Sequence, residues 1–333
     1  MKRRSFLNNS ALALGALSTG FQARSEGVTR FAARPVRVVS IGFHPGMSLD
    51  TIVSLVDKEG ANGADLIALP ETCRGLNAQS GEDMEGPTVH AAAELARKHK
   101  TYIVCPIDRR TAGRRYNSAV LLDRAGKVAT VYDKIYPVWQ AECVLDPPVH
   151  PGEAVRVYQT DFGRVGLAIC FDVNWAPLWQ RLSDQGAELV IWPSAYSAGR
   201  SLQARAIAYN YYIVSSTWVP DCLVYDIDGE LLVHDHANHS NNANVTRVVL
   251  DLDRCIFHQD LNRGKKLDKL LSERGADVEQ EKWLPMEGWF VLRAKRPGIS
   301  AREVARQYGL EELRPYINRS RREIDKCRGW EFS

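Results

Sequence analysis

The stretch Val165-Gly166-Leu167-Ala168-Ile169-Cys170-Phe171-Asp172 places a cysteine and an aspartate directly after an apolar run. The run is short, rich in aliphatic residues and bounded by polar residues, which predicts a buried β-strand. Catalytic groups in α/β folds gather where such strands end, because the rigid sheet holds them at a crevice. The stretch therefore predicts a candidate nucleophile, Cys170, on a layered α/β scaffold.

Two more stretches place a reactive side chain at the end of a predicted strand. Ala64–Leu69 is apolar and is followed by Pro70 and Glu71. Lys127–Tyr132 leads into Asp133 and Lys134, and Glu142 follows eight residues later. Each residue alone has an ordinary structural explanation, since surface acids, strand-end lysines and buried thiols are common.

The remaining pattern alternates between strands and helices. Between residues 35 and 260, apolar β-branched runs alternate with helical periodicity, and several pairs of runs flank turn residues such as Asp228-Gly229. Alternation with hairpins favours an α/β fold with mixed sheets. The two halves of this region are similar, which suggests two sheets packed face to face with helices outside.

Five fragments in sequence order resemble the nitrilase, or carbon–nitrogen hydrolase, superfamily. They are Leu69-Pro70-Glu71, Tyr132-Asp133-Lys134, Ile169-Cys170-Phe171-Asp172, Gly186–Ser194 and Ala204-Arg205-Ala206. The resemblance runs from about Val36 to Asp253. It implies a four-layer α-β-β-α sandwich that dimerises or assembles further, uses no metal or organic cofactor, and acts on a small molecule.

The resemblance also implies a role for each site residue. Cys170 would form a thioester, with Glu71 as general base and then acid. Lys134 and the backbone N–H of Phe171 would stabilise the oxyanion. Glu142 would orient the lysine and the substrate, although an exposed loop acid is an equal alternative. Asp172 is expected to fix the turn that carries the nucleophile.

The residues after the cysteine indicate which carbon–nitrogen bond is cut. Nitrile-cleaving relatives typically have Trp-Glu at this point, whereas Phe171-Asp172 is more similar to the amidase and carbamoylase branches. Many relatives carry a histidine two residues after the lysine, where this chain has Tyr136. Tyr136, Asn174 and Tyr196 are predicted to contact substrate, although aromatic residues in such positions can equally belong to the core.

Three alternatives to an amidase or carbamoylase stay open. The first is a nitrilase with the same nucleophile. The second is a cysteine acyltransferase, although relatives of that kind carry many membrane helices. The third is a non-catalytic binding protein on the same fold, against which the retention of glutamate, lysine and cysteine together argues.

Net charge, cysteine spacing and a histidine-rich run bear on whether the chain binds nucleic acid or a metal. The net charge of +3 is small for 333 residues and gives no reason to expect a nucleic-acid partner, which usually needs a basic stripe. The seven cysteines are scattered without zinc-type spacing. The run His234-Asp235-His236-Ala237-Asn238-His239 could ligate a metal in a suitable loop, but we interpret it as a solvated loop and predict no metal site.

The two ends of the chain differ from the body. Lys2–Leu7, the apolar Ala11–Leu17 and Ala23-Arg24-Ser25 resemble a twin-arginine signal over residues 1–25. This predicts export to the periplasm, with no membrane association of the mature form; a disordered basic tail is the alternative. Residues 261–333 are rich in charges and tryptophans, and we expect this extension to pack over the body or a partner subunit.

Overall fold

A computed structural model describes residues 32–77, 81–219, 221–236, 243–259 and 263–329. The predicted signal at residues 1–25 lies outside the described residues. The strands are β1 (Pro35–Phe43), β2 (Leu66–Ala68), β3 (Tyr102–Thr111), β4 (Arg114–Leu122), β5 (Val128–Asp133), β6 (Val157–Gln159), β7 (Arg164–Leu167), β8 (Leu189–Ser194), β9 (Tyr212–Thr217), β10 (Asp221–Tyr225), β11 (Leu231–His236), β12 (Ala243–Asp251), β13 (Cys255–His258), β14 (Val278–Leu284) and β15 (Trp289–Ala294). The helices are α1 (Leu49–Ala61), α2 (Pro87–His99), α3 (Ala176–Asp184), α4 (Gly199–Tyr209), α5 (Arg263–Arg274), α6 (Ala301–Gln307) and α7 (Leu313–Cys327), with a 3-10 turn at Cys170–Asn174.

Two mixed six-stranded sheets form the body. The first has the order β12-β1-β2-β3-β4-β5 and the second β11-β10-β9-β8-β7-β6. The central strands β1, β2 and β3 are parallel, as are β7, β8 and β9, while the outer strands are antiparallel. The central parallel strands are apolar on both faces because each sheet is covered on both sides.

The core consists of three apolar layers. Between the sheets, Val38, Leu66 and Val104 of the first share one cluster with Leu167 and Ile191 of the second. Helices α1 and α2 cover the outer face of the first sheet, and α3 and α4 cover that of the second. The helices form because their apolar residues recur on one face, which each sheet buries. The predicted four-layer α-β-β-α sandwich is confirmed.

The residues after the body form a small unit of their own. Strands β13, β15 and β14 make an antiparallel sheet in that order, and α5 and α6 pack on it around Phe257 and Phe290. Ile256, Val291 and Leu313 reach back into the cluster between the two main sheets. The extension is thus packed against the body of its own chain. Among the described residues, no helix combines the length and apolarity needed to cross a membrane.

Candidate active site

Four predicted residues are brought together, three of them at the ends of strands. Glu71 lies in the turn after β2, Lys134 follows β5 directly, and Cys170 begins the 3-10 turn after β7. Glu142 lies in the loop after Lys134 and folds back onto it. All four are at most 5% exposed. Because β2 and β5 belong to one sheet and β7 to the other, the site lies where the two sheets meet.

Lys134 bridges two buried carboxylates. Its Nζ lies 2.8 Å from Glu71 Oε1 and 2.5 Å from Glu142 Oε2. Burial alone would lower the pKa of the Lys134 ammonium, but Glu71, Cys170 and Glu142 outweigh burial and raise that pKa above its ordinary value. Lys134 therefore stays a cation beside the cysteine. Glu142, for which the sequence left an exposed loop position open, is a buried partner of this lysine.

Asn117 completes the cluster from the neighbouring strand β4. Its Nδ2 donates to Glu71 Oε1 at 2.7 Å and to Glu142 Oε1 at 2.8 Å. Two carboxylates in a buried site repel each other, and a cation and hydrogen-bond donors between them must offset this repulsion. The lysine and the asparagine supply both, and so fix the orientation of both carboxylates.

The nucleophile turn has an uncommon backbone conformation. Cys170 has a φ of +46°, in the left-handed region that non-glycine residues rarely adopt. Two side chains hold this turn through its carbonyl groups: the indole of Trp192 donates to Cys170 O at 3.1 Å, and Arg205 Nε donates to Val173 O at 3.1 Å. Residues in such strained conformations cluster at functional sites, where contacts with the surrounding structure hold them in place.

Asp172 ties the turn to the other sheet, as expected from the sequence. Its Oδ2 accepts the backbone N–H of Ile169 at 2.9 Å and the hydroxyl of Tyr132 at 2.6 Å. Its Oδ1 accepts the backbone N–H of Tyr136 at 2.9 Å. Burial raises the pKa of the Asp172 carboxyl to about 6, against the lowering effect of these donors.

The sulfur of Cys170 is a thiol at neutral pH. Burial, followed by the nearby charge of Glu71, raises its pKa to about 12. Lys134, the backbone N–H of Ala195 and the hydroxyl of Ser194 oppose that rise without cancelling it. A thiol in this state reacts as a nucleophile only if a base removes its proton. Glu71 Oε2 is buried and has no hydrogen-bond partner among the described residues, so it can accept that proton.

The predicted substrate-contacting residues surround the turn. Tyr136 stacks on Trp175 with ring centroids 4.0 Å apart. Asn174 donates to Phe171 O at 3.0 Å and hydrogen-bonds Tyr196. Tyr196 is 38% exposed. Burial is the main cause that raises the pKa of its hydroxyl, and the charge of a Cys170 thiolate nearby is the second. Asn174 and Tyr196 therefore form one polar edge beside the cysteine.

Several contacting residues were not predicted from the sequence. They are Asn117, which bonds Glu71, Tyr132, which bonds Asp172, and Ser194, which bonds Cys170. The indole of Trp218 also donates to Glu71 O at 2.5 Å. Asn117 is fully buried, but its strand also carries Arg114, Arg115 and Ser118, so nothing in the sequence singles it out. Its partners depend on the pairing of β4 with β5, which a single sequence does not give.

The histidine run is only partly a loop. Strand β11 continues through His234 to His236, and His234 is opposite Leu223 in the β10–β11 ladder, so the prediction of a loop is wrong for these residues. Residues 237–239 lie outside the described residues. Elsewhere in the described chain, Asp226, Asp228 and Glu230 come close enough to hold a metal, but the ammonium of Lys282 lies 2.5–2.9 Å from all three carboxylates.

Comparison with known proteins identifies similar sequences and similar folds. The carbon–nitrogen hydrolase family model matches residues 47–256. The chain is 30% identical over 191 residues to a nitrilase and fragile histidine triad fusion protein of Drosophila melanogaster, covering 52% of this chain and 42% of that protein. It is 28% identical over 196 residues to a deaminated glutathione amidase of Synechocystis sp., covering 50% of this chain and 70% of that one. With the mouse (Mus musculus) omega-amidase NIT2 it shares 24% identity over 196 residues, covering 51% of this chain and 68% of that one.

The match thus spans less than half of the fusion protein's length. Solved structures resemble the fold. Nit3 of Saccharomyces cerevisiae, a member of branch 10 of the nitrilase superfamily, superposes with a TM-score of 0.57 at 17% identity, covering 68% of this chain and 93% of that one. A carbon–nitrogen hydrolase of Helicobacter pylori gives 0.58 at 17% identity, covering 72% and 94%. Residues 263–329 of the extension lie beyond the stretch that the family model matches.

Proposed function

This chain belongs to the carbon–nitrogen hydrolase family, and from that premise we propose that it hydrolyses a linear amide or an N-carbamoyl group through a thioester on Cys170. The observation that carries the proposal is the ion pair of Lys134 with Glu71 beside the buried thiol of Cys170. This arrangement supplies a nucleophile, a base and a fixed cation within one water-poor site, which are the three groups that acyl transfer requires.

In the first half-reaction, Glu71 takes the thiol proton as the Cys170 sulfur attacks the carbonyl carbon. The carbonyl oxygen becomes an oxyanion, which the Lys134 ammonium and the backbone N–H of Phe171 stabilise. The carbon–nitrogen bond then breaks, and the proton held by Glu71 passes to the leaving nitrogen, which departs as ammonia or an amine. An acyl thioester remains on Cys170.

In the second half-reaction, Glu71 takes a proton from water, and the resulting hydroxide attacks the thioester carbon. The carbon–sulfur bond breaks, the acid product leaves, and the sulfur recovers its proton from Glu71. Glu142 and Asn117 keep Lys134 and Glu71 oriented through both steps. Tyr136, Asn174 and Tyr196 would contact the substrate around the reacting carbon.

The choice of an amide or carbamoyl group rests on two observations. The residues after the nucleophile are Phe171-Asp172, and Asp172 uses its carboxylate to hold the turn. Two of the similar proteins are named as a deaminated glutathione amidase and an omega-amidase. A nitrile substrate, acyl transfer to an acceptor other than water, and a binding function without catalysis are the alternatives that the experiment must separate.

The test is release of ammonia from short amides, N-carbamoyl amino acids and nitriles, for the wild type and for Cys170→Ala. We expect turnover of an amide or carbamoyl compound that falls at least ~10⁴-fold in Cys170→Ala. Cys327→Ala is the matched control, since Cys327 is exposed on α7 and should leave the rate unchanged. Intact-mass detection of an acyl adduct that is absent from Cys170→Ala would identify the thioester.

Turnover of nitriles alone would reject the amide or carbamoyl substrate and keep the nucleophile. An acyl adduct that forms without hydrolysis and is discharged by an added amine would favour acyl transfer. A folded, reduced protein that gives neither ammonia nor an adduct would favour the binding function. Any activity that survives in Cys170→Ala would reject the mechanism.

We further propose that the protein acts as a homo-oligomer and is exported through a twin-arginine signal. The support for the first is the family's layered fold with helices on its outer faces, and for the second the Arg3-Arg4 sequence before an apolar stretch. Size-exclusion chromatography with light scattering tests the first. N-terminal sequencing of the protein from a periplasmic fraction, with Arg3→Lys/Arg4→Lys as the matched variant, tests the second.

A further inference from the structure

A cavity whose lining includes none of Glu71, Lys134, Glu142 and Cys170 lies at the joint between the body and the extension. It has a volume of about 240 Å³ and lies between the starts of β8 and β9 and the start of α7. Charged residues are concentrated in its walls: Arg164, Arg254, Arg302, Arg314, Asp184, Glu188 and Glu312. Four arginines and three carboxylates line the cavity, so the partners of each charged group decide what the cavity can bind.

The carboxylates of the cavity already have donors. Glu312 pairs with Arg302 Nη1 at 2.5 Å, and Glu188 pairs with Arg34 at 2.8 Å. Asp184 accepts the amide of Asn318 at 3.3 Å. None of these carboxylates lies within ion-pair distance of Arg314 in the described chain.

Two of the arginines also have partners. Arg254 pairs with Asp226 and Glu281 at 2.6 Å each. Arg164 donates to the carbonyl of Gly186 at 2.6 Å. The charge of Arg254 is therefore neutralised, and Arg164, whose side chain is exposed, directs its Nε at the backbone.

Arg314 differs from these residues. It forms no ion pair with any described residue, and its Nε and Nη2 are buried without an acceptor. Its guanidinium lies over the ring of Tyr209, 4.9 Å from the centroid. Burial lowers the pKa of Arg314 below its ordinary value, and Tyr211, Tyr209 and Asp184 oppose this lowering without cancelling it.

A second guanidinium offers a donor to the same cavity. Arg302 Nε is buried and has no acceptor among the described residues, although its two other nitrogens are used. Buried N–H groups of this kind are costly unless an acceptor satisfies them. Guanidinium groups match the oxygens of carboxylates and phosphates in geometry and charge.

We propose that this cavity is a binding site for a small oxyanion, a carboxylate or a phosphate group, held by Arg314 and Arg302. The anion would accept from the free nitrogens of both residues and neutralise Arg314. Both arginines belong to the extension, whereas Tyr209, Tyr212 and Glu188 of the opposite wall belong to the body. The bound anion therefore fastens the extension to the body, and this role is independent of the reaction at Cys170.

The test is thermal unfolding and titration calorimetry of the full chain with phosphate, sulfate, acetate and succinate, at constant ionic strength against chloride. We expect at least one of them to raise the melting temperature in a saturable way and to bind once per chain, because a ligand of the folded state stabilises it by mass action. Comparing phosphate with the carboxylates shows which source of oxyanion the site prefers.

Variants locate the binding. Arg314→Gln should weaken the affinity at least ~10-fold, since a charge-assisted pair is lost. Arg156→Gln, at an exposed arginine outside the cavity, should bind as the wild type does. Arg314→Lys keeps the positive charge but lacks the paired N–H donors of the guanidinium. It should bind more weakly than the wild type, and it replaces Arg314→Gln as the test variant if that variant does not fold. Saturable binding by none of the four anions, or equal affinity in the wild type and the Arg314 variants, would overturn the proposal.

Discussion

A buried hydrogen bond from Tyr132 to Asp172 links the two sheets of the sandwich at the active site. Tyr132 is the last residue but one of β5, two residues before Lys134. Its hydroxyl lies 2.6 Å from the Asp172 carboxylate in the nucleophile turn. The bond thus fixes the position of the lysine relative to the cysteine. Reacting groups displaced by even an ångström lose much of their rate advantage.

Tyr132→Phe should therefore lower both stability and rate. Removing a buried hydrogen bond to a charged acceptor costs about 2 kcal/mol, and we expect kcat to fall by about tenfold with little change in KM. Urea unfolding and steady-state kinetics on the best amide substrate measure the two effects. Tyr158→Phe, on the edge strand β6, is the control and should change neither. An unchanged kcat in Tyr132→Phe would show that this bond does not position the site.

The titration of Asp172 predicts how activity depends on pH. Its pKa is raised to about 6 by burial, so below that pH it takes up a proton and loses an acceptor for Ile169, Tyr136 or Tyr132. The turn then loosens, and kcat should fall as pH decreases through about 6 and be level above it. Asp172→Asn should be slow at every pH and lack this inflection. An inflection near pH 6 that persists in Asp172→Asn would assign it to another group.

The charge of Glu71 predicts the reactivity of the thiol. After burial, that charge is the main cause of the raised pKa of Cys170. Glu71→Gln removes the charge, so the pKa of Cys170 should fall and the thiolate should appear at lower pH than in the wild type. Iodoacetamide labelling of Cys170 as a function of pH, followed by peptide mass spectrometry in a Cys327→Ser background, measures this shift.

The same variant separates two functions of Glu71. Glu71→Gln should label faster at a given pH and yet hydrolyse amides far more slowly, because it lacks the base. Glu153→Gln, at an exposed position, is the matched control for both measurements. Labelling of Cys170 that is equally slow in Glu71→Gln and in the wild type would mean that Glu71 does not act on the thiol.

The positions of Glu71, Lys134 and Cys170 could be predicted from the sequence because each follows an apolar strand. The carboxyl ends of β2 and β5 lie at one edge of the first sheet, and the packing of the second sheet on it brings Cys170, after β7, beside them. Asn117 could not be predicted in this way. It lies in the middle of β4, and only the pairing of β4 with β5 brings it between two carboxylates.

The sheet of the extension also could not be predicted. Strand β14 has the sequence Val-Glu-Gln-Glu-Lys-Trp-Leu, which looks like a solvated charged segment. In the structure its charges are neutralised by partners from distant parts of the chain: Glu281 by Arg254 and Lys282 by Asp226. Such long-range compensation leaves no periodic pattern in the sequence, so the sequence alone indicates only a tail rich in charge.

This compensation leads to the last prediction, at Arg254. Its guanidinium pairs with buried Asp226 of the body and with Glu281 of β14, and it donates to Tyr212 at 2.8 Å. Arg254→Met would leave Asp226 buried with Lys282 as its remaining cation. Removing one partner of a buried ion pair lowers the free energy of unfolding by about 3–5 kcal/mol, mostly because the other charge stays buried without its partner.

We therefore expect Arg254→Met to lower the free energy of unfolding by about 3 kcal/mol, with release of the extension before the body. Urea unfolding monitored by tryptophan fluorescence, with limited proteolysis to detect the released extension, measures both. Arg319→Ala is the control: its pair with Glu311 is half exposed, so its loss should cost no more than about 1 kcal/mol. Equal losses in the two variants would mean that the Arg254 network does not hold the extension in place, because a buried pair and an exposed pair would then contribute alike.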